Sequence, residues 1–188
     1  MVTLRKFKCY RNVTRAYTRK SKYKTKGYVK AMPNSRLVRF NMGDVHKAFQ
    51  YKVDLVSKDK VQVRDNALES ARQVSNRRLE NSLGKNNYCF KVMVYPHHAL
   101  RENKMLVGAG ADRMQTGMQK AFGKVIGIAA RLKEGQNIFT AYVNKEGLEV
   151  AKEAFKKANH RLPARCAIKI TEINKSQKAP EFAEVSMI

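Results

Sequence analysis

Residues 66–95 read NALESARQVSNRRLENSLGKNNYCFKVMVY. A helix, a stop and a strand follow one another in that order. Asn66 is suited to cap the helix, and Glu69, three residues on, completes a capping-box pattern. Ala67, Ala71 and Val74, with Leu68 and Leu79 beside them, mark an apolar stripe at helical spacing. Gly84 supplies the stop. The predicted helix is therefore Asn66–Leu83, with Arg72, Arg77 and Arg78 on its other faces. Tyr88–Tyr95 then alternates, with Tyr88, Phe90, Val92 and Val94 on one side and Cys89, Lys91, Met93 and Tyr95 on the other. Few of these residues are polar, so both faces of the strand are expected to be partly covered. Pro96 ends it.

The same signals continue outward. Upstream, Arg36–Met42, Lys52–Val56 and Lys60–Arg64 read as strands, the last two separated by a turn at Ser57, Lys58 and Asp59. Downstream, Lys124–Leu132 and Asn137–Val143 resemble a strand pair joined around Lys133-Glu134-Gly135-Gln136. Asn144 is suited to cap a second helix carrying Leu148, Ala151, Phe155 and Ala158 on one face. Its acids come early (Glu146, Glu149) and its bases late (Lys156, Lys157, His160, Arg161), an order that suits the helix dipole. Pro163 closes it, and Arg165–Glu172 is a final strand with Cys166, Ile168 and Ile170 on one face. Strands, helix, strand, loop, strand pair, helix, strand describes an α+β fold: two helices packed on a mixed or antiparallel sheet.

Charge narrows the function. The chain has 188 residues, 39 of them Lys or Arg and 15 Asp or Glu, a formal net charge of +24. The first acid is Asp44, and the residues before it hold thirteen bases. Such a balance opposes compaction unless polyanions neutralise it. Phe7, Tyr10, Tyr17, Tyr23 and Tyr28 interleave with those bases, as in segments that stack on bases between phosphates. Residues 1–35 are accordingly expected to be a basic RNA-binding arm, with Met1–Lys30 largely unstructured in the free protein and ordered on RNA. Residues 36–173 form the α+β domain, and 174–188 a flexible tail. The expected arm contacts are Arg5, Lys6, Lys8, Arg11, Arg15, Tyr17, Arg19, Lys20, Lys22, Lys24 and Lys26. Further along the chain Arg72, Arg113, Gln115, Lys120 and Lys124 join them.

Other chemistries find little support. No apolar run approaches the roughly 20 residues of a spanning helix, and no secretory leader is expected at Met1–Lys8. Cys9, Cys89 and Cys166 are too scattered for a disulfide framework or a zinc pair, which fits a reducing cytosol. Gly108-Ala109-Gly110-Ala111-Asp112-Arg113 begins like a dinucleotide fingerprint but has Arg at its sixth position. His97 and His98 would point to opposite faces of a strand, so no metal site is expected. Neither a cofactor nor a small-molecule substrate nor a catalytic residue is expected. The aperiodic stretch 102–117, with two close glycines, reads as a functional loop within the domain.

Arg101-Glu102-Asn103-Lys104-Met105, Gly110 through Met118, and Ala121-Phe122-Gly123-Lys124 resemble the large-subunit ribosomal protein family called L ten e in archaea and eukaryotes and L sixteen in bacteria. Asn66 through Arg72, Ala16-Tyr17-Thr18-Arg19 and Asn41-Met42-Gly43 fit the same family, and the resemblance spans roughly residues 9–173. Termination near residue 188, without the longer eukaryotic extension, resembles the archaeal members. The resemblance implies an α/β-hammerhead-like fold bound to large-subunit ribosomal RNA near the A site and the peptidyl transferase region, beside neighbouring ribosomal proteins. It implies a cytoplasmic location and no enzymatic activity. It also implies that Glu102, Asn103, Lys104, Met105, Gly108, Gly110 and Asp112 face the catalytic centre and A-site transfer RNA. The chain departs from the family in having Val125 where Pro is common, a lysine-rich 21–31 stretch, and no Arg-Pro opening. The competing classes are a free-standing RNA- or DNA-binding protein and an RNA-modifying enzyme.

Overall fold

The computed structural model describes residues 6–12, 29, 31–102, 108–110 and 123–173. Eight strands form two antiparallel sheets. The larger contains β1 (Asn41–Gly43), β4 (Tyr88–Val92), β7 (Asn137–Val143), β2 (Tyr51–Ser57) and β8 (Cys166–Glu172), in that spatial order. The smaller is β3 (Gln62–Arg64), β6 (Lys124–Arg131) and β5 (His98–Glu102). Helix α1 (Asp65–Leu83) packs along α2 (Leu148–Asn159) and touches strands of both sheets, whereas α2 lies on the larger one. The α+β expectation is met, with two sheets in place of one.

The division has a local cause. Lys124–Leu132 and Asn137–Val143 look like a hairpin, yet β6 pairs with β3 and β5 while β7 pairs with β2 and β4. The chain changes sheet four times, between β2 and β3, β3 and β4, β4 and β5, and β6 and β7. The first and last of these crossings support each other: Ser57 N–H donates to Gln136 O, Gly135 N–H to Ser57 O, and Leu132 N–H to Val61 O, all at 2.8–2.9 Å. The connection after β2 is also clasped to the strand that follows α2, because Asp59 accepts hydrogen bonds from the Arg165 backbone and guanidinium at 2.7–3.2 Å. Those hydrogen bonds, the side-chain one first, pull the Asp59 carboxyl from its ordinary 3.8 down to about 2. A depressed carboxyl stabilises the fold above its unfolded value and loses that contribution as pH falls through the folded one. Asp59→Asn should therefore melt below wild type at pH 6, and the gap should close as pH falls from about 4 toward 2. Parallel thermal melts measure this, and a gap that persisted at the acid end would contradict the clasp.

Between the helices and the larger sheet lies the core. Phe90, Phe139 and Phe155 are fully buried there, with Phe90 centroids 5.4 Å from Phe139 and 6.1 Å from Phe155. Helix α1 differs from its sequence reading at two points. Its N-terminal cap is Arg64, without a side-chain hydrogen bond, and Glu69 turns to Arg72 and Gln73, so the Asn66–Glu69 capping box does not form. Arg72 is buried, at 8% exposure. Glu69 satisfies its charge, with contacts of 2.6 and 2.8 Å, and Met42 Sδ receives Nη1 at 2.9 Å. Gly84 ends the helix as expected, at φ +76°, with its N–H on Glu80 O.

The predicted strand at Arg36–Met42 shortens to Asn41–Gly43. Leu37 goes inward and Val38 outward. Gly43 carries a requirement no other residue meets. Its φ is +80°, and a Cβ there would lie 2.2 Å from the Tyr88 carbonyl oxygen.

Candidate nucleic-acid interface

Residues 6–12 do not hang free of the domain. Gln62 N–H donates to Arg11 O at 3.0 Å, and Gln62 Nε2 donates to Tyr10 O at 3.1 Å. Arg64 Nη2 reaches Lys6 O at 3.3 Å, and its guanidinium sits 4.6 Å above the Tyr10 ring. The expectation of an unstructured arm is corrected for this piece. Backbone donors of β3, on the edge of the smaller sheet, need acceptors. The arm supplies them, and Arg64 is the buried spacer that fixes its height.

Docking the arm there gathers charge. Lys6, Lys8 and Arg11 are exposed beside β3. Gln62 lies opposite Arg131 of β6, which is exposed, and the exposed Lys58, Lys60 and Lys133 belong to the β2–β3 and β6–β7 crossings. Arg161, also exposed, lines a cleft with Arg64 and Pro163. The result is a cationic band across the edge of the smaller sheet.

The acids do not offset it locally, because many are neutralised within the fold. Asp54 accepts from Thr140 Oγ1 at 2.6 Å and pairs with Lys52 at 2.9 Å. Asp59 pairs with Arg165, Glu69 with Arg72, and Glu80 with Lys85. Glu153 pairs with Arg78 and Lys157, and both side-chain hydrogen bonds lower its pKa. Arg72, Arg78 and Arg165 are likewise occupied. Glu134, Glu146, Glu149 and Glu172 also face water, but the exposed bases outnumber them.

Of the sequence-selected residues, Lys6, Lys8, Arg11 and Lys124 are exposed. Arg72 is turned into the fold, which removes it from the surface set. Arg5, Arg15, Tyr17, Arg19, Lys20, Lys22, Lys24, Lys26, Arg113, Gln115 and Lys120 lie outside the described residues, as do Asn103, Lys104, Met105 and Asp112 and the 174–188 tail. Glu102 ends β5 directly opposite Lys124 at the start of β6. The connection from β5 to β6 therefore starts and ends at one rung of their ladder. Gly108 and Gly110, within that span, are exposed and have positive φ. The sequence reading overlooked Arg131 and Lys133, whose neighbours in space come from distant strands. Among the described residues no cluster of His, Cys, Asp and Glu is placed to hold a metal ion. No helix among them is long and apolar enough to cross a membrane.

An α+β domain many of whose carboxylates are already paired and whose bases form a band around a docked arm defines a class: basic proteins suited to face a polyanion. The chain belongs to the family described as ribosomal protein L16p/L10e, which matches residues 14–169. It is 44% identical over 172 residues to a large ribosomal subunit protein uL16 from Methanococcus maripaludis, covering 91% of this chain and 96% of the relative. Similar proteins of the same description occur in Methanocella arvoryzae, 48% identical over 148 residues (79% of this chain, 83% of the relative), and in Staphylothermus marinus, 45% identical over 161 residues (85% and 89%).

Proposed function

We propose that this chain is a structural constituent of the large ribosomal subunit. It binds ribosomal RNA through the cationic band and the arm, and through the 102–117 segment it helps to position A-site transfer RNA near the peptidyl transferase region. Its location is cytoplasmic, its neighbours are other ribosomal proteins and ribosomal RNA, and it is not an enzyme. Family membership supports the ribosomal assignment. The observation that carries the RNA-facing reading is the docking of residues 6–12 on β3, which sets Lys6, Lys8 and Arg11 beside Arg131 and the bases of the crossings. Sucrose-gradient sedimentation of cell extract at moderate salt tests the assignment. The protein should travel stoichiometrically with the large subunit, and a free pool at the top of the gradient would indicate a free-standing nucleic-acid binder.

The transfer-RNA role has its own test. Because Glu102 and Lys124 face each other, the connection between them can be shortened without pulling on either sheet. Loop-closure entropy depends weakly on length. Replacing Asn103–Ala111 by a few glycines should leave the melting temperature and subunit incorporation nearly unchanged. A-site transfer-RNA binding and peptidyl transfer on the purified subunits should fall. Normal rates at full occupancy would make the segment a passive filler.

A further inference from the structure

The chain stays extended beyond β4, and its alternation continues. Val94 and Pro96 face inward, while Met93, Tyr95 and His97 face out. Met93 and Tyr95 are 52% and 49% exposed. Met93 N–H donates to Ile138 O at 2.9 Å, and His97 N–H to Tyr95 O at 3.1 Å. The Tyr95 ring stacks on Phe40 with centroids 5.6 Å apart and planes 23° from parallel. The His97 ring flanks Tyr95 with centroids 5.1 Å apart, tilted 48° to it. Phe40 is fixed from behind, since Val92 N–H donates to its carbonyl at 2.8 Å. Beside this ladder opens a cleft of about 350 Å³, lined by Met93, Tyr95, His97, His98, Arg131 and Gln136. No carboxylate is among its lining residues. Gln136 Oε1 accepts from Lys133 N–H, so the amide nitrogen is its group left to read a ligand.

Single exposed apolar residues are ordinary. A stacked ring pair flanked by a tilted imidazole, with a methionine and an arginine at its side, is not, and it calls for an occupant with a flat face, a polar edge and a negative charge. An unpaired nucleotide has all three. A neighbouring protein would supply apolar cover but no charge match to Arg131 and the surrounding excess of bases.

We propose that Phe40, Tyr95 and His97 form a stacking platform for one unpaired base of ribosomal RNA, with Arg131 on its phosphate and Gln136 at its edge. This rests on the RNA-binding reading above and adds a place and a nucleotide state to it. The platform binds single-stranded RNA in a way that a cationic band alone does not, because stacking is insensitive to salt while phosphate contacts are not.

The test uses the full chain, a short single-stranded RNA carrying 2-aminopurine, and an RNA duplex as control. Wild type should bind the single strand and quench its fluorescence. Tyr95→Leu should bind it about 5- to 150-fold more weakly, lose the quench, and keep both its salt slope and its duplex affinity. Tyr95→Phe should behave as wild type. Because Tyr95 is half exposed, the leucine variant should fold, which a thermal melt verifies. Equal binding and quenching by Tyr95→Leu would overturn the platform while leaving RNA binding intact. So would a photocrosslinker at position 95 that captured a protein instead of RNA in assembled subunits. Failure of wild type to bind either RNA would instead remove the RNA-binding reading, and the platform with it.

Discussion

Affinity for isolated large-subunit ribosomal RNA will fall roughly 10³- to 10⁵-fold between about 50 and 200 mM salt, if about six to ten phosphates are neutralised. The exposed bases of the described surface are numerous enough. Lys6, Lys8, Arg11, Lys58, Lys60, Arg131, Lys133 and Arg161 all face solvent. Binding releases the counterions condensed on the RNA, so the logarithm of the affinity falls linearly with the logarithm of salt. Replacing Lys6, Lys8 and Arg11 together by Gln should flatten that line by up to about three phosphate contacts, roughly one unit of slope each. Their backbone hydrogen bonds to Gln62 and Arg64 do not involve the substituted groups, so the arm should remain docked. Filter binding across a salt series decides. A flat response would place the charge away from the interface, and an unchanged slope in the triple variant would place it elsewhere on the surface.

Phe90→Ala should be the most damaging single change to stability, at about 3–5 kcal/mol. The ring is fully buried and contacts Phe139 and Phe155, so it joins the larger sheet to α2. Truncation leaves a void bounded by two rigid rings, and β4 is held between β1 and β7, so little can collapse into it. Domains are commonly stable by about 5–15 kcal/mol, so this loss takes a large share. For a chain of this length the melting temperature should drop by roughly 6–20 °C. Urea unfolding of both proteins measures it. A loss below about 1 kcal/mol would mean that the three rings do not form one packed unit.

How far the sequence could be read depended on the range of the interactions. Both helices were legible because their signals are local: the apolar positions Ala67, Leu68, Ala71, Val74 and Leu79, of which Leu68, Ala71 and Leu79 are the buried ones, and the stripe of Ala151, Phe155 and Ala158. Most strand positions were legible for the same reason, though Arg36–Met42 was read too long and His98–Glu102 was not read as a strand; Tyr88–Val92 is covered on both faces as its composition suggested. Pairing was not. Nothing near Lys124–Leu132 says that its neighbours are Gln62–Arg64 and His98–Glu102 and not the strand that follows it. Arg72 misled because a helical wheel counts charges but does not locate Met42, thirty residues earlier, whose sulfur receives the guanidinium. Of the interface, the density of bases was visible, but the band formed by Arg11, Gln62 and Arg131 depends on three distant segments. The aromatic ladder left one trace: the alternation of Val94 and Pro96 with Met93, Tyr95 and His97 runs past the end of the strand.

The position of β2 inside the larger sheet, between β7 and β8, has a consequence during synthesis. Tyr51 is paired with Val143 on one side and Glu172 on the other. Neither partner exists until most of the chain has been made, so Val53 and Leu55 have no sheet to join while the basic first half is already exposed. Distant strand pairing is slow to form, and uncovered strands of an incomplete chain invite association. The nascent molecule is thus an open polycation before it is a domain. Its folding and its capture of RNA compete in time, and a companion that shields the first half until the last strand arrives would decide that contest in favour of folding.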